Sequence, residues 1–194
     1  EQGQEFLQFA HDGARRMLDE GLLEPAVAGD VRLAFALHQM PTLPSGVIAT
    51  RPGPLMAAVD GFRVVVEGRG GHASAPHLTL DPVPVACAVV QAIQTHVARR
   101  IDAFEPVVVT VARIAAGATR NVIPDRAEIE GSVRTVTPAA RRAVLAALER
   151  IARHVAAAHD LTATVEILQS YPETANEPSV AREVLALAAA VLGP

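Results

Sequence analysis

From about residue 56 onward, apolar and polar positions change rhythm in a regular order. The run Phe62-Arg63-Val64-Val65-Val66-Glu67 alternates, and residues 60–67 are predicted as a strand. Residues 82–99, rich in alanine and valine, predict a helix. A strand over 106–114, a loop over 115–125 and a strand over 127–136 follow. A helix over 139–159 and a strand over 162–168 complete the series. Thr137 followed by Pro138 marks the second helix start, because proline's missing N–H costs nothing in a first turn. The order β-α-β-β-α-β predicts a ferredoxin-like unit, a four-stranded antiparallel sheet with both helices on one face. The wide Ala/Val/Leu faces of the helices suit close packing on that sheet.

The flanks are less regular. Glu1-Gln2-Gly3-Gln4-Glu5 is a polar start, and Asp12 is placed to cap a helix over 13–20 that Gly21 stops. Residues 31–37 predict a short apolar strand ending at His38, where a Pro/Gly-rich loop over 39–46 begins. Residues 47–50 predict another short strand, and Arg51-Pro52-Gly53-Pro54 is a breaker suited to a hinge. Past Tyr171-Pro172, a polar link leads to a last helix over 178–192. That helix has no sheet of its own and is assigned to the first segment. The expected fold class is therefore α/β (α+β). A partial outer α/β domain over 1–55 returns at 169–194, and the ferredoxin-like domain over 56–168 is inserted in it. The outer segments are too short to bury a core with two or three strands.

Composition narrows the classes. Half of the 194 residues are apolar and 20% are charged, enough for a buried core and against disorder. Aromatics are 3% with no Trp, so the core must be built from Ala, Val, Leu and Ile. A net charge of −4 gives no basic footprint for nucleic acid. No apolar stretch reaches membrane-spanning length, and no leader signal opens the sequence. The single cysteine, Cys87, excludes a disulfide framework and is expected as a small buried filler. A cytoplasmic location is expected.

The candidate chemistry centres on Gly68-Arg69-Gly70-Gly71-His72-Ala73-Ser74-Ala75-Pro76-His77, between a predicted strand and a predicted helix. Three glycines in four residues permit positive φ and close backbone approach. The loop either presents imidazoles to a ligand or is a tight β-to-α connection with two exposed histidines. His38 lies where α/β enzymes place ligands, at the end of a strand, although a lone histidine there is more often structural. Asn121, in Arg120-Asn121-Val122-Ile123-Pro124-Asp125, is placed to donate to a ligand carbonyl or to cap its turn. The forked guanidinium of Arg134 suits a carboxylate, or is a surface arginine. Glu5 and His38 are oxygen and nitrogen donors of the kinds Zn²⁺ accepts. His11, His96, His154 and His159 fall on helical faces or ends, where solvation explains them.

With these stretches the chain resembles the dinuclear-metal aminoacylase/carboxypeptidase family, and specifically its hippurate hydrolase and auxin-conjugate amidohydrolase branch. The matching stretches are Gly13-Ala14-Arg15-Arg16-Met17, Leu37-His38, Arg51-Pro52-Gly53-Pro54-Leu55-Met56, and the glycine loop through His77. They continue with Asp81-Pro82, Asn121-Val122-Ile123-Pro124-Asp125, Gly131-Ser132-Val133-Arg134 and Tyr171-Pro172. The resemblance implies a metallopeptidase-type catalytic domain with two divalent metals (Zn, Mn or Co) and an inserted lid that also forms a homodimer. It implies hydrolysis of N-acyl amino acids. His38 would bind metal, and His72 would reach a neighbouring subunit's site to polarise the scissile carbonyl. Asn121 and Arg134 would hold substrate, Arg134 at its carboxylate.

The chain also departs from the family pattern. The first metal motif, a His-x-Cys-Gly-His-Asp segment, and the final metal histidine have no counterpart here. The family's Glu-Glu pair, general base and then metal ligand, matches Gln4-Glu5. A neutral amide at Gln4 cannot accept a proton, so a contribution of about 10²–10⁴-fold would be lost. Two readings follow: part of a metal-dependent amidohydrolase, or an inactive dimerisation and binding module derived from one. The isolated chain is expected to be inactive.

Overall fold

The computed structural model describes residues 16–193, and Gln4, Glu5, His11 and Asp12 lie outside the described residues. The chain divides into two compact units between Val47 and Ile48.

In the first unit, residues 16–19 are helical and Gly21 takes φ +86°, consistent with the expected stop. A one-turn helix α1 (Pro25–Ala28) follows. The strand expected over 31–37 does not form. A strand needs a neighbour to take its N–H and C=O groups, and among the described residues this segment belongs to none of the sheets. Its apolar side chains remain in solvent, Leu33 at 57%, Phe35 at 61% and Leu37 at 76% exposure.

In the second unit, the strand expected over 47–50 is displaced into the breaker itself. Strand β1 (Gly53–Met56) pairs antiparallel with β8 (Thr174–Asn176). Gly53 supplies φ +74°, and Pro54 is tolerated because the ribbon has only two strands and a bulge between Pro54 and Met56. The Asn176 amide donates to the Thr50 hydroxyl at 3.1 Å and to the Arg51 carbonyl at 3.0 Å, tying the ribbon's ends.

The main sheet is the expected one. Strands β2 (Ala58–Glu67), β4 (Val107–Ala116), β6 (Arg126–Thr135) and β7 (Thr162–Tyr171) lie in the order β4-β6-β2-β7, every pair antiparallel. Helices α2 (Pro82–Arg100) and α3 (Pro138–Ala157) cover one face. Asp81 caps α2 by accepting from the Val83 N–H at 3.0 Å, and Thr137 caps α3 by accepting from Ala140 at 3.2 Å. The central strands alternate: Phe62, Val64 and Val66 on β2 and Ala127, Ile129 and Val133 on β6 are buried beneath the helices. Val85, Val89, Ile93, Val144, Leu148 and Ala152 meet them. Each such Val, Leu, Ile or Phe contributes about 1.5–3 kcal/mol on full burial. Cys87 is exposed, contrary to expectation. The buried stripe of α2 runs through Val85, Ala86, Val89 and Ile93, and Cys87 falls on the other side of the helix.

The uncovered face carries the charges. Arg63 on β2 pairs with Glu128 on β6 at 2.9 Å, and Arg113 on β4 pairs with Glu130 at 2.9 Å. The last helix, α4 (Pro178–Leu192), is capped by Glu177, which accepts from the N–H groups of Ser179 and Val180 at 2.8 and 2.9 Å. None of the described helices is long and apolar enough to cross a membrane.

Candidate functional site

The glycine loop springs from the end of β2. Arg69 and Leu80 exchange both backbone hydrogen bonds at 2.9 Å and close the neck of the loop between them. Within it, β3 (Gly71–His72) forms a two-residue ladder with β5 (Val122–Ile123). The glycines serve close approach alone, since none of Gly68, Gly70 and Gly71 has positive φ. A Cβ on Gly68 would lie 2.1 Å from the Leu80 carbonyl oxygen, and one on Gly70 would lie 2.4 Å from that of Ile123. Asp125 accepts from the Gly70 N–H at 2.9 Å and locks the same crossing.

This ladder brings the backbones at His72 and Asn121 side by side. His72 pairs with Val122, and the next residue, Ala73, donates its N–H to the Asn121 carbonyl at 3.1 Å. Both side chains are exposed. The Asn121 side-chain oxygen accepts from the Thr119 hydroxyl at 2.9 Å, which turns the amide's function toward its two N–H donors. The His72 Nδ1 lies 2.7 Å from the Ser74 hydroxyl and accepts from the Ser74 N–H at 3.1 Å. Ser74 and Thr119 were not among the residues expected from sequence. Their only signal was a hydroxyl two positions from a candidate ligand, a spacing that recurs in ordinary turns.

Arg134 stands elsewhere. It lies on the open face of β6, opposite Val59 on β2 and Val108 on β4. Glu67, where the loop begins, pairs with Arg126. About eight residues of strand therefore separate Arg134 from that end of the sheet, or roughly 26 Å at about 3.3 Å per residue. The β3–β5 ladder is reached from that end, since β3 follows β2 and β5 precedes β6. Arg134 is exposed and has no hydrogen-bond or ion-pair partner among the described residues. The three expected lid residues thus form two groups at opposite ends of one sheet.

His38 lies in the first unit, exposed, with Nδ1 2.7 Å from the Gln39 carbonyl. A carbonyl only accepts, so Nδ1 carries the proton and Nε2 keeps its lone pair. That is the tautomer a metal-ligating histidine adopts. Among the described residues, however, no group of three or more His, Cys, Asp or Glu side chains could hold an ion. His38 fits as one ligand, and the described residues do not make a site.

A cleft of about 530 Å³ opens between α2 and α3, lined by His96, Arg100, Asp102, Glu105 and Arg150 over an alanine floor. It contains none of the expected site residues. His96 is half-buried there rather than freely solvated. Burial, then Arg150 and Arg100, push its imidazole below the ordinary value.

Sequence and structure comparisons agree on the family. The profile described as "Peptidase dimerisation domain" matches residues 58–160, more than half of the chain. The chain belongs to the M20 peptidase family through this dimerisation domain. It is 39% identical to N-acetylcysteine deacetylase of Bacillus subtilis over 165 residues, covering 85% of the chain and 42% of that protein. It is 36% identical to thermostable carboxypeptidase 2 of Saccharolobus solfataricus over 180 residues, covering 92% of the chain and 44% of that protein. A Bacillus subtilis crystal structure described as a dinuclear metal-binding peptidase of this family superposes with a TM-score of 0.73 at 32% identity. It covers 93% of this chain and 44% of the other. The chain thus spans less than half the length of these relatives. The resemblance read from the glycine loop, Asn121 and Arg134 is borne out at the level of family and fold.

Proposed function

We propose that this chain is the pairing and substrate-gripping part of a metal-dependent amidohydrolase that cleaves N-acyl amino acids. The observation that carries the reading is the division of the lid residues, with His72 and Asn121 in the loops that leave one end of the sheet and Arg134 about 26 Å of strand from that end. No substrate of N-acyl amino acid size spans that distance. One lid therefore serves two sites: Arg134 grips a substrate carboxylate at one, while His72 and Asn121 reach a carbonyl at the other. A two-fold homodimer meets this need, because an isologous pair presents each group to the partner's opposite group.

The edge strands β4 and β7 offer the pairing surface. The run Val107-Val108-Val109-Thr110-Val111 of β4 carries no charge and the strand's one charged residue, Arg113, is ion-paired with Glu130, whereas β7 places Glu166 in its centre. Charged residues block edge pairing, so β4 is the edge that joins its copy. In the paired form His72 Nε2 and the Asn121 amide supply donors to the carbonyl oxygen as negative charge develops. Arg134 holds the carboxylate by two parallel N–H bonds and fixes which amide is presented. A divalent metal pair, when bound, would supply the Lewis acid and a nucleophilic water. His38 would contribute one ligand, and Glu5, outside the described residues, another. In this reading the neutral Gln4 leaves the base position without a proton acceptor.

Binding is the direct test. N-benzoyl- and N-acetyl-amino acids should bind the wild-type chain and lose at least tenfold in affinity in Arg134→Ala, whereas the matching amides without a carboxylate should lose nothing. Equal losses for both sets would overturn the assignment. Metal counting tests whether this chain holds a working metal site by itself. Two ions per chain with turnover in added Zn²⁺, Mn²⁺ or Co²⁺ would mean that this chain holds a working site. No bound metal and no turnover is the outcome expected for the chain alone.

A further inference from the structure

We infer that Ser74 is a positioning residue that fixes the ring of His72 as the Nε2–H tautomer, so that the neutral imidazole presents a donor outward. The inference rests on the reading above that His72 serves a substrate carbonyl, and it assigns Ser74 a role of its own.

Two contacts carry it, and both converge on one atom. The Ser74 backbone N–H donates to His72 Nδ1 at 3.1 Å. An amide N–H cannot accept, so Nδ1 must hold its lone pair there and the ring proton must sit on Nε2. The Ser74 hydroxyl lies 2.7 Å from the same Nδ1. Its proton rotates freely, and beside an unprotonated nitrogen it donates. The second bond removes the remaining freedom of the ring about its Cβ–Cγ axis, because a flipped ring would aim a C–H at both donors. Which nitrogen of a histidine is protonated is set by the hydrogen bond the other makes.

The backbone beneath this pair is held in turn. His72 sits in the β3–β5 ladder, Ala75 donates its N–H to the His72 carbonyl at 2.9 Å, and Asp125 fixes Gly70 two residues earlier. The loop is therefore a built turn around the imidazole. For carbonyl polarisation the Nε2–H form is the useful one, because it donates without first taking a proton from solvent. The other tautomer would turn a lone pair toward the carbonyl oxygen and repel it.

The test is ¹⁵N spectroscopy of the histidine rings in the 194-residue chain at about pH 8.5, two units above the ordinary imidazole value. Wild-type His72 should show Nδ1 at its unprotonated position and Nε2 at its protonated position, with no detectable share of the other tautomer. Ser74→Ala keeps the backbone donor and loses the hydroxyl. The averaged His72 shifts should then move toward those of free histidine, while the His77 shifts stay in place. Ser74→Thr keeps a hydroxyl and should restore the wild-type pattern. A protonated Nδ1 in the wild type, or identical His72 shifts in wild type and Ser74→Ala, would overturn the inference. Neither result depends on turnover. Failure of the substrate-binding test with the tautomer fixed as stated would therefore count against the site reading alone.

Discussion

Asp60 and Arg141 form a two-pronged ion pair, Nη2 to Oδ1 at 2.6 Å and Nε to Oδ2 at 2.8 Å, that joins β2 to the first turn of α3. Asp60 is fully buried and the Arg141 side chain is 18% exposed. The hydrogen bond to Asp60 holds the guanidinium proton more tightly than usual, against the opposing effect of burial. Removing one partner of such a pair leaves a buried charge without compensation. Asp60→Ala should therefore cost about 3–5 kcal/mol in urea unfolding. The double replacement Asp60→Val with Arg141→Leu should recover most of that loss. A single variant within 1 kcal/mol of wild type, as an order of magnitude set by exposed pairs, would show the pair to be dispensable.

Gly131 makes a second, independent prediction about the core. It lies opposite Phe62 on β2, and a Cβ there would meet the Thr110 carbonyl oxygen at 2.2 Å and the Phe62 ring at 2.5 Å. Neither the sheet backbone nor a ring buried among Val64 and Ile129 can withdraw freely. Gly131→Ala is expected to destabilise by about 1–3 kcal/mol. Gly61 is the control: its added Cβ would touch only Leu168, at 3.4 Å, and Gly61→Ala should be far milder. Equal losses would contradict the packing described.

The charged face predicts a pH dependence. The hydrogen bond from Arg63 holds the Glu128 carboxyl below its ordinary value of 4.5, with Arg126 and Arg113 adding to it against burial. A depressed folded value means that the unfolded chain binds the proton more readily. The contribution is present above about pH 4.5 and is lost as pH falls through the lower folded value. The urea midpoint should fall across that window in the wild type and fall less in Glu128→Gln. Parallel curves for the two proteins would remove Glu128 as the cause.

Pairing through β4 predicts a dimer. Sedimentation equilibrium at tens of micromolar should give twice the chain mass, and Val108→Lys should shift it toward monomer. Val108 is 56% exposed at the start of the β4 edge, so the substitution adds a charge there without touching the core. A wild-type chain that remains monomeric would rule out the shared site.

The ferredoxin-like unit was legible because period-two and helical runs follow each other in the expected order from residue 58 to 171. Thr137-Pro138 and Asp81-Pro82 also carry their caps in the local sequence. The flanks were not legible, since an apolar run such as Val31 to Leu37 becomes a strand only beside a neighbour. Cys87 was misread because its four nearest neighbours are apolar, while its own position lies off the buried stripe of α2. At the site, residue types pointed to His72, Asn121 and Arg134. Their division between two ends of the sheet depends on register, which spacing does not carry. The Ser74 contact depends on a turn closed by Arg69 and Leu80 across the loop.

The most direct measurement mixes two variants, His72→Ala and Arg134→Ala, and reads the binding of an N-acyl amino acid. Each alone should bind at least tenfold more weakly than the wild-type chain. If one site takes Arg134 from one copy and His72 from the other, half of the mixed dimers are hybrids and each hybrid holds one intact site. Equal mixing should then restore tight binding at about one quarter of the sites. No recovery on mixing, with hybrids verified by mass, would mean that both residues serve a site within one chain and would contradict the account.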